Sequence, residues 1–279
     1  MISRVARRAV LIVLATLTLT GCGRQVAQDS SAGMVLPAIS PDRGALPVPP
    51  PHAAEALGAT GGLNAWLRAR EIRFDAVVAA YRPDGGFYLT EHEFAVCPWG
   101  RAVQVSAREP HAMFTCRIID GQYHLLGGDP GVDVSPLSAC YRDYAEAVFQ
   151  IVTAPARMLD TNVELLRRPV PVMIGGQWYH TIEATFKVRR IVSQENGKEK
   201  VTIVEPYWTR GIYFQNRNGS LVDRIWLGSP AAQDFLIVRG YDYAKAPGSG
   251  VLIPNKIEIF RSDAEGVQAQ RLALIDVKR

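Results

Sequence analysis

The most regular pattern in the chain runs from Trp178 to Phe186, where Trp178, His180, Ile182, Ala184 and Phe186 alternate with Tyr179, Thr181, Glu183 and Thr185. Successive side chains of a strand point to opposite faces, so this period of two predicts a strand with one buried, mainly apolar row and one mostly polar row. Similar segments run through Glu71 to Tyr81, Gly86 to Val96, Arg101 to Ala107, Met113 to Asp120, Tyr207 to Asn216, Leu221 to Leu227, Asp234 to Tyr243, Val251 to Arg261 and Val267 to Val277. Turn chemistry separates strand segments at Pro83-Asp84-Gly85-Gly86, Asn196-Gly197 and Asn218-Gly219. Strands that follow one another through short turns predict an antiparallel meander. One of this length must curl or close to hide its apolar face and its edges.

Helical spacing occurs in two places. Leu63, Trp66 and Leu67 form a short apolar stripe after Gly61-Gly62. Tyr141, Tyr144, Ala145, Val148 and Val152 fall on one face of a longer helix, with Ser138 as the expected N-cap and Pro155 as the expected end. The predicted fold is therefore mainly β within an α+β frame: a curved antiparallel sheet, or incomplete barrel, wrapped around one or two helices.

The N-terminal end does not read as part of this domain. Arg4, Arg7 and Arg8 precede the apolar run Ala9 to Ala15 and its Thr/Leu-rich continuation, which gives way to polar sequence after Gly21. That run is shorter than the roughly 20 residues a membrane span needs and fits a signal peptide, residues 1–21. Leu19-Thr20-Gly21-Cys22 resembles the lipobox of bacterial lipoproteins. The resemblance implies cleavage before Cys22 and acylation of its thiol, with membrane attachment of about 0.8 kcal/mol per buried methylene. In Gram-negative lipoproteins an Asp after the cysteine favours inner-membrane retention. Gly23 stands there instead, which implies the periplasmic face of the outer membrane. Residues 22–51, rich in Gly, Ser, Pro and Ala and ending Leu46-Pro47-Val48-Pro49-Pro50-Pro51, read as a flexible tether, which leaves residues 52–279 for the folded domain.

Charge narrows the partners. Three of the positive charges behind the net +4 are Arg4, Arg7 and Arg8, so the mature chain is nearly neutral. It lacks the basic field that nucleic-acid binding requires. No cofactor is implied, and the oligomeric state is left open.

Several residues resemble a known family: Gly61-Gly62, Trp66, Ile72-Arg73-Phe74 opening a strand, then Tyr241, Gly250-Val251-Leu252-Ile253-Pro254 and Lys256-Ile257. In this order they are similar to the LolA/LolB superfamily of lipoprotein-sorting proteins, across roughly residues 55 to 277. That resemblance implies an incomplete antiparallel barrel closed by helices, with an apolar cavity that receives acyl chains. The insert-like Pro130 to Pro136 loop with the central helix departs from the pattern. From the large apolar residues on one face, the candidate cavity residues are Trp66, Phe74, Tyr144, Val148, Trp178, Ile182, Phe186, Phe214 and Trp226. The leading function is a membrane-anchored envelope lipoprotein that binds a lipid or a lipoprotein acyl chain. The same residues are open to a second reading, a structural or protein-interaction module with a filled core; a hydrolase is the third.

Catalytic and metal motifs are weak. Gly248-Ser249-Gly250 lacks the wider frame of a serine nucleophile elbow, and Gly127-Gly128-Asp129-Pro130-Gly131 lacks the Lys-Ser/Thr of a phosphate loop. Glu91-His92-Glu93 reads as a solvated strand face, because strand neighbours cannot converge on one metal. Asp129 and Asp133 read as turn residues. The chain is thus read as a non-enzyme with no metal site. Of the remaining cysteines, Cys97 and Cys116 fall two strands apart, about 10 Å and too far for a disulfide. Cys140 could reach either, and three buried thiols are the other reading.

Overall fold

The structure, a computed structural model, describes residues 48–278 apart from 110–111, 120, 130–134 and 196–197. Cys22, the signal segment, most of the tether, the Asn196-Gly197 turn, Asp133 and most of the Pro130 to Pro136 loop lie outside the described residues, as does the side chain of Cys140. Two short helices come first, α1 (Pro51–Ala59) and α2 (Leu63–Arg68). Five strands follow: β1 (Ile72–Tyr81), β2 (Phe87–Cys97), β3 (Ala102–Glu109), β4 (Ala112–Ile119) and β5 (Gln122–Gly128). After the long helix α3 (Ser135–Arg157) come β6 (Val163–Arg167), β7 (Val172–Ile174), β8 (Gln177–Phe186), β9 (Arg189–Glu195), β10 (Lys198–Val204), β11 (Arg210–Asn216), β12 (Val222–Ser229) and β13 (Asp234–Tyr241). The last are β14 (Ala244–Lys245), β15 (Leu252–Ile253), β16 (Lys256–Ser262) and β17 (Gln268–Val277).

Thirteen strands form one sheet in the order β5-β4-β3-β2-β1-β17-β16-β13-β12-β11-β8-β6, with β7 beside β8. Every described pairing in it is antiparallel, as the alternation predicts. The single meander is corrected by the structure. The sheet consists of two runs either side of α3, joined where β1 pairs with β17 from Ala76↔Val277 to Ala80↔Ala273. No sequence signal specifies that long-range pair, because each strand alone shows only its own period. The end strands β5 and β6 are not paired to each other, so the sheet is open rather than a closed barrel.

One face of the sheet carries the main core, and α3 packs on it. Phe74, Phe94, Val105, Cys116, Ile182, Tyr213, Ile225, Leu227, Val238, Ile257 and Ile275 are buried there with Ala145, Val148, Ile151 and Val152 of the helix. Each such large aliphatic or aromatic side chain contributes roughly 1.5–3 kcal/mol when fully buried. The opposite face holds a smaller cluster of Trp226, Ile237 and Phe260, with Ile212, Phe214 and Phe235 packed against it.

Two helix boundaries differ from the prediction. Ser138 lies inside α3 rather than capping it, and Pro155 also lies within the helix. Proline removes one backbone donor and normally kinks or ends a helix. Here the flanking Ala154 and Ala156 are buried in the core, and the turn continues with Met158 N–H donating to Ala154 C=O at 3.3 Å. Helix α1 is also additional to the prediction; it begins at Pro51, whose missing N–H costs nothing in a first helical turn.

Candidate functional site

Between the sheet and α3 lies a cavity of about 350 Å³. Val78 and Ala80 of β1, Pro83 of the following turn, and Leu272 and Ala273 of β17 give it apolar walls, so the β1–β17 junction builds it. Tyr88 and His92 of β2, Glu109 of β3, and Tyr141 and Tyr144 of α3 also line it, together with Tyr81, Arg82 and Arg261.

The polar residues are joined in one network. His92 and Glu109 side chains are only 3% and 6% exposed, and His92 Nε2 lies 3.2 Å from Glu109 Oε1. The Tyr144 hydroxyl is 2.9 Å from His92 Nδ1, and the Tyr141 hydroxyl donates to Glu109. Burial works against a charge on Glu109, but hydrogen bonds from His92, Tyr141 and Tyr88 outweigh it and hold the carboxyl below the usual carboxylate range. An ionised carboxylate only accepts, so Nε2 carries a proton and donates to it. Burial, reinforced by the Glu109 charge, pushes both Tyr141 and Tyr144 well above the ordinary phenol value, so both hydroxyls stay protonated.

This network overturns the reading of Glu91-His92-Glu93 as a wholly solvated face: Glu91 and Glu93 are exposed, whereas His92 is buried. The signal was its parity. His92 shares its strand row with Thr90, Phe94 and Val96, all buried, and Glu109 ends the row of Val103, Val105 and Ala107. Polar identity concealed an inward position that the alternation of these strands specifies.

Of the sequence candidates, Trp66, Phe74, Tyr144, Val148, Ile182 and Phe186 come together in the main core, and Tyr144 lines the cavity. Phe74 stacks on Phe94 with ring centroids 4.9 Å apart, and Phe94 in turn lies 5.9 Å from Tyr144. Trp66 is fully buried, its indole N–H donating to Thr60 Oγ1 at 2.9 Å. The other three lie elsewhere. Phe214 pairs with Thr181 while its neighbour Tyr213 pairs with Ile182, which puts Phe214 on the opposite face with Trp226. Trp178 shares the row of Ile182 but sits opposite Met173 in the β7–β8 hairpin, and is 46% exposed.

Cys97 and Cys116 are free and buried on β2 and β4, with β3 between them. Burial raises each thiol to about 12, so neither is a nucleophile at neutral pH. Among the described residues, no group of three His, Cys, Asp or Glu side chains could hold a metal ion, and no helix is long and apolar enough to cross a membrane.

No family model and no curated protein matches the sequence. Solved structures are similar in fold. The chain is similar to a LolA superfamily protein from Nitrosomonas europaea, at 10% identity and a TM-score of 0.46 over 81% of this chain and 89% of that one. A DUF1329 family protein from Desulfovibrio piger is similar at 9% identity and a TM-score of 0.47, over 82% and 90%. An outer membrane lipoprotein-sorting protein domain from Vibrio parahaemolyticus is similar at 5% identity and a TM-score of 0.43, over 81% and 92%. The fold of this chain, a large open antiparallel sheet packed on a long helix, stands on the strand order and register described above.

Proposed function

We propose that this chain is a non-catalytic envelope lipoprotein, attached to the membrane through acylated Cys22 and standing off it on the segment to about Pro51, which binds an apolar ligand between its sheet and α3. The ligand is a lipid or a lipoprotein acyl chain, and the membrane is the outer one, at its periplasmic face. The observation that carries the binding role is the 350 Å³ cavity with walls of Val78, Ala80, Pro83, Leu272 and Ala273. Its volume lies within the range of about 300–1,000 Å³ typical of small-molecule sites. The lipobox resemblance at Leu19 to Cys22 supports the anchor.

A second reading, a structural or partner-binding module, is favoured by the core. Trp66, Phe74, Val148, Ile182 and Phe186 interlock within it rather than lining the cavity. Native extraction followed by lipid mass spectrometry, with titration of a fluorescent fatty-acid probe, separates the two. The wild type is expected to carry lipid and to bind the probe saturably. Ala273→Phe, which fills the cavity from β17, is expected to abolish binding at a stability cost of no more than about 1–2 kcal/mol. A protein that comes away without lipid and binds no probe is the module instead.

A further inference from the structure

The charges around the cavity are unevenly placed. Arg82, in the turn after β1, is exposed at its rim, with its guanidinium over the Tyr88 ring at 5.5 Å from the centroid. Among the described residues no carboxylate is bonded to Arg82. The other rim cation, Arg261, is held between Asp143 and Asp234, so its charge is already answered. Inside, the buried Glu109 carboxylate accepts from His92 and Tyr141. The cavity thus has at the surface a cation to which no described carboxylate is bonded, and beneath it an anion that Tyr88 also hydrogen-bonds, with apolar walls beside them.

Resting on the cavity reading above, we propose that the ligand is a single-chain amphiphile with an acidic head, whose head sits on Arg82 and whose uncharged tail lies along Ala80, Leu272 and Ala273 towards Tyr144. The reverse orientation brings the ligand's negative charge against Glu109 in a low-dielectric interior, where like charges repel most strongly. A cationic head at the rim meets Arg82 instead. A neutral chain gains only the apolar walls. The acidic group is a carboxylate or a phosphate, since the guanidinium fork takes either in two parallel hydrogen bonds.

The test is competition against a bound fluorescent fatty-acid probe on the purified full chain, using dodecanoate, dodecanol, dodecylammonium and dodecanedioate. Dodecanoate is expected to bind about tenfold more tightly than dodecanol, the scale of one charge-assisted contact. Dodecylammonium should bind more weakly than the alcohol. Arg82→Gln should bring the acid to the level of the alcohol, while Arg82→Lys keeps part of the preference. Dodecanedioate, whose second carboxylate must approach Glu109, should bind more weakly than dodecanoate, and Glu109→Gln should close that gap. Lauroyl lysophosphatidylglycerol against dodecanoate identifies the source of the acidic group, whichever binds more tightly. Equal binding of acid, alcohol and ammonium, or an acid affinity untouched by Arg82→Gln, overturns the proposal while leaving the apolar cavity standing. Failure of every chain to displace the probe, or of the probe to bind, removes the cavity reading and this proposal together.

Discussion

At the scale of single residues, burial and chemistry diverge most at Glu109. Its carboxyl is held below the ordinary value of 4.5 because His92, Tyr141 and Tyr88 hydrogen-bond its charged form against the pull of burial. A carboxylate with a depressed folded-state pKa stabilises the fold fully above its unfolded pKa. That contribution is lost as pH falls through the lower folded value. Glu109→Gln should therefore destabilise the protein at pH 7 by about 1–3 kcal/mol and flatten the acid side of its stability curve. Urea melts between pH 3 and pH 7 check this; an unchanged acid slope means that other carboxylates set it. Ile182 poses the opposite case, an apolar side chain with no exposure, pairing with the equally buried Tyr213. Ile182 is not among the residues that line the cavity, so Ile182→Phe should overpack the core and cost roughly 1–3 kcal/mol, seen as a lower melting temperature. A thermally neutral Ile182→Phe would place free space where the structure has side chains.

At the scale of elements, close backbone approach explains a residue that periodicity leaves unexplained. Gly61, between α1 and α2, has a φ of 112°, and a Cβ there would come within 2.7 Å of the Gly250 carbonyl oxygen. The same join is held by Leu252 N–H donating to Thr60 C=O at 3.0 Å. Gly61 and Gly250, nearly 200 residues apart, thus meet where the N-terminal helices dock on the C-terminal strands. Gly61→Ala should cost about 1–3 kcal/mol through backbone strain and this clash, whereas Gly58→Ala, with open space around its Cβ, should cost little or nothing. Equal melting temperatures for the two variants would contradict the join.

At the scale of the whole molecule, the proposed anchor rests on Cys22, and its test is direct. Cys22→Ser should abolish lipidation and leave a precursor or a soluble product, read by intact mass and by fractionation between membrane and soluble extracts. Mature protein that retains residues before Cys22, or begins elsewhere without acyl mass, removes the anchor.

The sequence by itself determined the positions of β1 to β4, β8, β11 to β13, β16 and β17 and the two apolar helix stripes, because these depend on local periods that a few consecutive residues carry; β5 to β7, β9 and β10 were not read from it. It reached Tyr144, Ile182 and Phe186 by the same route. Tertiary structure alone decided that β1 lies beside β17, since strand order is a matter of pairing between segments about 200 residues apart. That pairing is what gives the cavity its walls. It also decided that Phe214 and Trp226 belong to the far face and that Trp178 overhangs the core at a hairpin: large apolar side chains have no preference between two faces that both offer burial. His92 and Glu109 were concealed for the converse reason. Polar identity argues for solvent until folding brings a buried carboxylate within reach of an imidazole and two phenols, and only partners from separate elements make the inward position affordable.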